Sequence, residues 1–217
     1  MIRVAPEGWP FIAVAWLVVL GLVALRLGTP GASWPLIALA VWLPVAVWVI
    51  AFFRDPERRG ERGNSVVIAP ADGKVVDVRE VDEPAFIGGK ALRICIFMNV
   101  FDVHVNRYPL EGTVAYRHYN PGKFLNAADE KSSLENEQSL VGLTTPRGKV
   151  LVRQIAGLIA RRIVTDHNVG TAVHQGQRLG LIRFGSRVDL YLPLDARALV
   201  KVGDRTTAGA TVVARWN

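Results

Sequence analysis

The sequence has few of the residues that build disulfide frameworks and metal centres. Its 217 residues include one cysteine, two methionines and four histidines. Cys95 cannot form a disulfide within the chain, and its place in the apolar run 92–98 is typical of a buried, inert thiol. No group of histidine, cysteine and carboxylate residues has metal-ligand spacing, so the sequence predicts no metal site.

Negative charge is also in short supply. The 26 lysines and arginines against 19 acidic residues give a net charge of +7 and an isoelectric point near 10.0, which predicts an anionic partner. The sequence has no block of basic residues interleaved with aromatics and no nucleic-acid-binding motif, which argues against nucleic acid. An anionic membrane surface fits better, because the chain also carries long apolar segments.

Two of these apolar segments occupy the first quarter of the chain. Trp9–Leu25 has no charged residue over 17 positions and Trp34–Phe53 has none over 20, while Gly28–Ser33 between them has a turn composition. Each segment approaches the ~20 residues that a helix needs to cross hydrocarbon. A secretory signal peptide would show one short apolar core and a cleavage site instead. Residues 1–53 are therefore predicted to form a membrane anchor of two helices.

Arginines flank the predicted hairpin and are absent from its turn. Arg3 precedes the first segment, and a basic juxtamembrane linker at residues 54–63 carries Arg54, Arg58, Arg59 and Arg62. The positive-inside rule then predicts that both ends, and the domain that follows, lie on the cytoplasmic side of the cell membrane. A monotopic anchor that dips into one leaflet is the alternative, because prolines at positions 10, 35 and 44 can bend the helices.

From residue 64 onward, short alternating runs bounded by turn residues replace the long apolar segments. Runs at 66–68, 75–78, 92–101, 112–118, 150–155 and 179–192 are typical of strands. The phrases Pro-Ala-Asp-Gly-Lys-Val at 70–75 and Lys-Val-Gly-Asp-x-x-x-Ala-Gly-x-x-Val at 201–212 are similar to the paired halves of barrel-sandwich folds. Residues 64–217 are thus predicted to form a mainly β, antiparallel barrel-sandwich-like domain of short hairpins with a few short helices. Periodicity leaves 156–163 open between helix and strand.

Three polar residues at turns or strand ends supply the chemical types of a nucleophile, a base and an orienting carboxylate. Ser186 follows Gly185 between two strand runs, where a strained backbone could aim the hydroxyl at its own carbonyl. His104 lies on an alternating segment that puts it on one face with two polar neighbours, Asp102 and Asn106. Asp72 lies in a turn. A serine nucleophile needs such a base, and the base needs such a carboxylate.

Each of the three residues also has an ordinary structural role open to it. Gly-Ser is a common turn dipeptide, a lone histidine is more often structural than catalytic, and an aspartate in a turn usually caps its own backbone. The sequence does not show that the three side chains meet. His167 and His174 lie in a polar stretch and are interpreted as surface or structural residues.

Six phrases in order make the chain resemble a family. They are Ala69–Gly73, Phe97–Arg107, His118–Phe124, Glu135–Glu137, Gln154–Ile163 and Phe184–Pro193. Together with the hydrophobic segments that precede them, they resemble phosphatidylserine decarboxylases of the short bacterial and archaeal class, which depend on a pyruvoyl group. This covers most of the chain from about Arg54 to Pro193.

The resemblance implies a role for each candidate residue. Ser186 would attack the Gly185 carbonyl, the chain would be cut between these residues, and Ser186 would become a covalent pyruvoyl cofactor. His104, oriented by Asp72, would be the base for the cut. The products of the cut, residues 1–185 and 186–217, would remain partners, and the enzyme would convert phosphatidylserine to phosphatidylethanolamine and carbon dioxide. An oligomer remains possible.

The chain departs from the longer class of the family at two positions. The longer class has Leu-Gly-Ser-Thr where this chain has Phe184–Arg187, and it has a second histidine where this chain has Arg107. The proton donor for the product is therefore open between His104 and, in reserve, His118.

Two alternative functions are also compatible with the sequence. One is a membrane-tethered barrel-sandwich carrier or adaptor without catalytic activity, and the other is a pyruvoyl enzyme for another amino-acid headgroup.

Overall fold

The chain divides into two compact units, Met1–Glu57 and Arg58–Asn217, and the division falls within the predicted linker at 54–63. The computed structural model describes residues 3–122, 136–157, 162–183 and 186–216. Several predictions fall outside these residues. They concern Gly185 at the cleavage site, part of the phrase 118–124, Glu135 and half of the segment 156–163.

The first unit is a helical hairpin. After a 3₁₀ turn at Pro6–Gly8, helix α1 runs over Trp9–Gly28 and helix α2 over Trp34–Phe52. Ala15, Val19 and Ala46 are buried between them, and the Trp42 indole donates a 2.9 Å hydrogen bond to the Ala15 carbonyl oxygen. Arg26, near the turn, donates to the Pro30 carbonyl oxygen at 2.9 Å. These contacts join the two helices and their turn.

Most large apolar side chains of the hairpin face outward. Leu17, Ile37 and Val41 are each about two-thirds exposed, at 65%, 64% and 67%. Both helices are long and apolar enough to cross a membrane. An apolar surface of this kind is unfavourable in water and compatible with lipid. The prediction of two N-terminal apolar helices is confirmed.

The second unit is built from strands wherever the structure describes regular elements in it. The strands in chain order are β1 (Val66–Ile68), β2 (Gly73–Glu83), β3 (Gly89–Met98), β4 (Val105–Arg107), β5 (Gly112–Asn120), β6 (Gln138–Thr145), β7 (Gly148–Ala156), β8 (Arg162–Thr165), β9 (Ala172–Val173), β10 (Arg178–Arg183), β11 (Ser186–Leu192), β12 (Arg197–Ala198), β13 (Arg205–Thr206) and β14 (Val212–Arg215). The mainly antiparallel β prediction is confirmed.

One curled sheet of eight strands carries most of this unit. Its order is β13-β2-β3-β11-β7-β6-β5-β9, and two three-stranded sheets, β1-β14-β12 and β4-β10-β8, accompany it. Strand β11 is interior and pairs with β3 on one side and β7 on the other. Ile94, Ile96, Val152, Val188 and Leu190 are buried in the main core. Alternation along the strands puts such residues on one face, where burial stabilises the sheet.

The two phrases predicted to pair do so. Strand β13, which follows Lys-Val-Gly-Asp, pairs with the start of β2, with Thr206 opposite Gly73. The Val75 amide donates to the Asp204 carbonyl oxygen at 2.8 Å. Strand β14 pairs with β1 and β12 instead. The end of the chain is therefore spread over two sheets.

Six strands of the large sheet begin or end at the same end of the sheet along the strand direction. Strands β2, β11 and β6 begin there, and β3, β7 and β5 end there, because all neighbours are antiparallel. Ser186 lies opposite both Met98 and Ala156 at this end of the sheet. We call it the site end of the sheet.

Candidate active site

Ser186 is the first residue of β11, and its side chain is fully buried. It shares its face of the sheet with Val188 and Leu190, which belong to the core. Its Oγ atom has no hydrogen-bond partner among the residues that the structure describes. Buried hydroxyls in native proteins are almost always hydrogen-bonded, so an exception calls for a chemical reason.

Asp72 immediately precedes β2 at the site end. The next residue, Gly73, has a φ of +149°, and a Cβ atom there would lie 2.2 Å from the Phe97 carbonyl oxygen. Only glycine therefore permits this close approach of β2 to the end of β3. Since β3 lies between β2 and β11, Asp72 is about two strand spacings, roughly 10 Å, from the start of β11.

Both carboxylate oxygens of Asp72 accept hydrogen bonds. The Ala208 amide donates to Oδ1 at 2.7 Å, and the Arg58 guanidinium donates to Oδ2 at 2.7 Å. Burial raises the pKa of Asp72 above its ordinary 3.8, and it outweighs the Ala208 and Arg58 hydrogen bonds, which lower the pKa. The nearby charge of Asp102 raises it further.

His104 lies in the segment that connects β3 to β4, and it is fully buried. Its Nδ1 atom lies 3.0 Å from the Asp102 carbonyl oxygen. A carbonyl oxygen can only accept, so Nδ1 carries a proton and donates, and Nε2 is the ring nitrogen whose lone pair can take a proton. The His104 carbonyl oxygen accepts from the Ile182 amide at 3.4 Å, which joins this segment to the strand that leads toward Ser186.

The structure therefore brings Asp72, His104 and Ser186 to one end of the sheet. Asp102 connects the first two, since its carbonyl oxygen holds the His104 ring and its charge acts on Asp72. The hydrogen bonds described for Asp72 go to Ala208 and Arg58, so its predicted orientation of His104 stays a prediction. Arg58, which sequence reasoning assigned to the membrane surface, is largely buried here and paired with Asp72.

The other histidines lie farther away. His118 is exposed on β5, three strands from β11 and in register, through Leu140 and Arg153, with Asp189. Along the sheet this is roughly 14 Å sideways from β11. The ring of His167 contacts Tyr108 and Gln177, and His174 is exposed beside Glu111. The interpretation of His167 and His174 as structural or surface residues agrees with these contacts.

Sequence reasoning missed a buried polar network next to Ser186. Gln154 donates to Asn106 Oδ1 at 2.8 Å, and the Asn106 amide group lies 3.6 Å from the sulfur of Met98, which is opposite Ser186. Thr165 donates to Gln154 Oε1 at 3.0 Å and contacts the Ser139 hydroxyl at 2.9 Å. Only the polar face predicted for Asn106 hinted at this network.

The structure also bears on a metal site and on the acceptor lysine of a carrier protein. Among the described residues, no group of three or more histidine, cysteine or acidic side chains could hold a metal ion. A carrier protein needs an acceptor lysine at the apex of a hairpin. Lys74 instead lies within β2, paired with Phe97 on one side and Arg205 on the other.

Comparison with known proteins finds relatives that match nearly the whole chain. The model of the phosphatidylserine decarboxylase family matches residues 45–214. A phosphatidylserine decarboxylase proenzyme of Symbiobacterium thermophilum is 51% identical over 98% of this chain and 95% of its own length. Proenzymes of the same name from Magnetococcus marinus and Burkholderia cenocepacia are each 46% identical, over 98% and 97% of this chain and 94% and 95% of their own lengths.

These matches exclude the carrier or adaptor alternative. They agree with the resemblance seen in the six sequence phrases. The chain belongs to the phosphatidylserine decarboxylase family and is a carboxy-lyase.

Proposed function

We propose that the chain is a proenzyme that cuts itself between Gly185 and Ser186 and then converts phosphatidylserine to phosphatidylethanolamine and carbon dioxide. The names of the relatives supply the substrate and the precursor state. On this chain, the observation that carries the proposal is the buried Ser186 hydroxyl, which has no partner among the described residues. A hydroxyl held in this way is available to react.

The cut follows from the chemistry of Ser186. Its Oγ atom adds to the Gly185 carbonyl carbon, the peptide C–N bond breaks, and an ester results. Elimination then removes the Ser186 α-proton and releases the Gly185 carboxylate, which leaves dehydroalanine. One water replaces the nitrogen, one ammonia leaves, and a pyruvoyl group remains. Nε2 of His104 carries the lone pair that takes the hydroxyl proton in the first step.

The surroundings of Ser186 suit the group that this reaction makes. A pyruvoyl carbonyl supplies an electron sink for the loss of a carboxylate. Met98 and Ala156 flank this position on both neighbouring strands, and Asn136 donates at 2.7 Å to the Ala156 carbonyl oxygen. The burial of these residues excludes bulk water. His104 is the residue that we assign to hold the proton for the product carbon.

The membrane hairpin suits a substrate that stays in a bilayer. We propose that the hairpin anchors the chain in the cell membrane with the catalytic unit on the cytoplasmic side. Arg3 and the arginines of the 54–63 linker support this orientation, and Arg26 is the one basic residue of the hairpin near its turn. The net charge of +7 favours an anionic membrane surface.

Mass spectrometry of the purified full chain tests the proposal. We expect fragments 1–185 and 186–217, the second of 32 residues with a carbonyl-bearing, blocked terminus. Ser186→Ala should give one intact chain and no release of carbon dioxide from phosphatidylserine. A free serine at the new terminus would indicate proteolysis and would refute self-cleavage.

A further inference from the structure

A tight turn at the site end presents an aromatic side chain to the outside. Strand β3 ends at Met98, and the Asp102 amide donates to the Asn99 carbonyl oxygen at 3.0 Å. The side chains of Asn99 and Asp102 close the turn further, through bonds to the amides of Phe101 at 2.8 Å and Asn99 at 2.9 Å. At the tip of this turn, Phe101 is 71% exposed.

This turn is continuous with the candidate active site. Met98, on one side of it, lies opposite Ser186. On the other side, the Asp102 carbonyl oxygen holds the ring of His104. Phe101 is therefore separated by only a few residues from Met98, which is opposite Ser186, and from His104.

Two cationic side chains lie close to this turn. Arg205, 62% exposed, contacts Asp102 at 3.4 Å and retains further donors. Lys74 is exposed and is the cross-strand neighbour of both Arg205 and Phe97, so the three side chains share one face. An aromatic tip beside arginine and lysine is the composition of a surface that enters the lipid interface while its charges stay at the phosphates.

We propose that Phe101 inserts into the lipid surface, with Arg205 and Lys74 at the level of anionic headgroups. This rests on the proposed function, since a lipid substrate must reach Ser186 without leaving the bilayer. The turn would hold the active site at headgroup depth. A bilayer fits this surface better than a protein partner, because one exposed aromatic side chain beside two cations matches an apolar layer beneath a layer of phosphates.

The depth of residue 101 can be measured directly. The full chain carrying Phe101→Cys is labelled with the fluorophore NBD and placed in nanodiscs of phosphatidylcholine and phosphatidylglycerol, with and without doxyl-labelled lipid. Native Cys95 is buried, and burial raises the pKa of its thiol, so it reacts slowly. Leu194→Cys is the control, because Leu194 is 47% exposed and follows the far end of β11, about 20 Å from Ser186.

We expect a blue shift and doxyl quenching at position 101 and neither at 194. Water-like emission at 101 would overturn the proposal, and so would equal quenching at both positions. A blue shift without quenching would indicate contact with protein and would also overturn it. The measurement needs no catalysis and can be made in a Ser186→Ala background, so it stands apart from the test of self-cleavage.

Kinetics supply the second test. For Phe101→Ser, kcat/KM on phosphatidylserine in vesicles, divided by kcat/KM on monomeric short-chain phosphatidylserine, should fall about tenfold, the loss expected from one buried aromatic side chain. Leu194→Ser should leave this ratio unchanged. A Phe101→Ser enzyme that loses both activities equally would have a damaged site, and the claim that Phe101 contacts lipid would fail.

Discussion

At the scale of single residues, one hydrogen bond determines which ring nitrogen of His104 carries a proton. Because Nδ1 donates to the Asp102 carbonyl oxygen, Nε2 is the nitrogen that we assign as the base. We expect His104→Ala to slow self-cleavage by about 100-fold or more, which is the usual contribution of a general base. The time course of fragment formation, followed by mass, measures this.

Two histidine variants serve as controls for that measurement. His118→Ala and His174→Ala change exposed side chains remote from Ser186 and should cleave at the normal rate. If His104→Ala cleaves promptly, the base is misassigned. Once a slowly processed His104 variant has matured, normal release of carbon dioxide would show that the proton for the product comes from another group, with His118 the reserve.

Asp72 gives a prediction about pH. Burial raises its folded-state pKa above 3.8, so its protonated form is favoured in the folded chain. The resulting stability is present below pH 3.8 and is lost as the pH rises through the raised pKa. In a Ser186→Ala background, the Tm of Asp72→Asn relative to the parent should therefore increase between pH 4 and pH 7.

The same substitution should stall self-cleavage when Ser186 is present. A carboxylate that costs stability at neutral pH yet is needed for processing would mark Asp72 as a functional residue. A relative Tm that falls as the pH rises would contradict the raised pKa. Rapid processing of Asp72→Asn would remove Asp72 from the catalytic group.

The sequence predicts the chemical types at the site better than their partners. Ser186, His104 and Asp72 each lie at a turn or strand end, and these positions are local properties of the sequence. The pairing of Arg58 with Asp72 is different, because 14 positions separate the residues and only the fold brings them together. Arg58 was therefore assigned to the membrane surface, where isolated arginines usually lie.

At the scale of secondary structure, Gln154 on β7 ties together strands that carry the site. It contacts Asn106 on β4 and Thr165 on β8. Gln154→Leu leaves the Oδ1 atom of the buried Asn106 without its donor, which costs about 1–3 kcal/mol. The half-buried Thr165 loses an acceptor but keeps its contact with Ser139. Because β4 directly follows His104, we also expect self-cleavage to slow by about tenfold, an extra barrier of about 1.4 kcal/mol.

Thr145→Val is the matched control for Gln154→Leu. Thr145 lies at the far end of β6 and bonds to Gly148 and Arg147, so its loss should lower the Tm without slowing the cut. Thermal unfolding and fragment formation are measured on both variants. Equal cleavage rates at reduced Tm would mean that Gln154 supports the fold alone.

Strands were predictable where the signal is local, and their neighbours were not. The Asp-Gly turn at 72–73 and the alternation after it predicted β2, and the similarity of the phrase that begins at Lys201 to the other half of a barrel-sandwich pair indicated the part of the chain that pairs with it. Nothing in the sequence indicates that β11 lies between β3 and β7, which precede it by many residues. The Gln154–Asn106 contact, 48 positions apart, depends on that arrangement.

At the scale of the whole molecule, the two units have separate cores. The main core from Val67 to Trp216 belongs to the second unit, and Ala15, Val19 and Ala46 to the first. We expect a chain without residues 1–53 to remain soluble, fold and cut itself, but to act poorly on phosphatidylserine in vesicles. Sedimentation, fragment mass and carbon dioxide release check the three parts.

The truncated chain has a direct comparison. With short-chain monomeric phosphatidylserine, its turnover should approach that of the full chain, because the loss concerns access to the bilayer. A truncated chain that is folded and still sediments with membranes would contradict the anchor assignment. One that folds without cutting itself would show that the hairpin contributes to maturation.

The interior position of β11 has a consequence for refolding. A cut before Ser186 leaves β11 paired with β3 and β7, β13 paired with β2, and β14 paired with β1, so the small fragment stays woven through the large one. Before the cut, one chain can find this fold unaided at any dilution. Afterwards two separated molecules would have to collide to rebuild it, and the yield would depend on their concentration. Under the proposed self-cleavage, the mature protein would therefore lose the ability to renature as a single chain, and its recovery from heat or denaturant would depend on the concentration of both fragments.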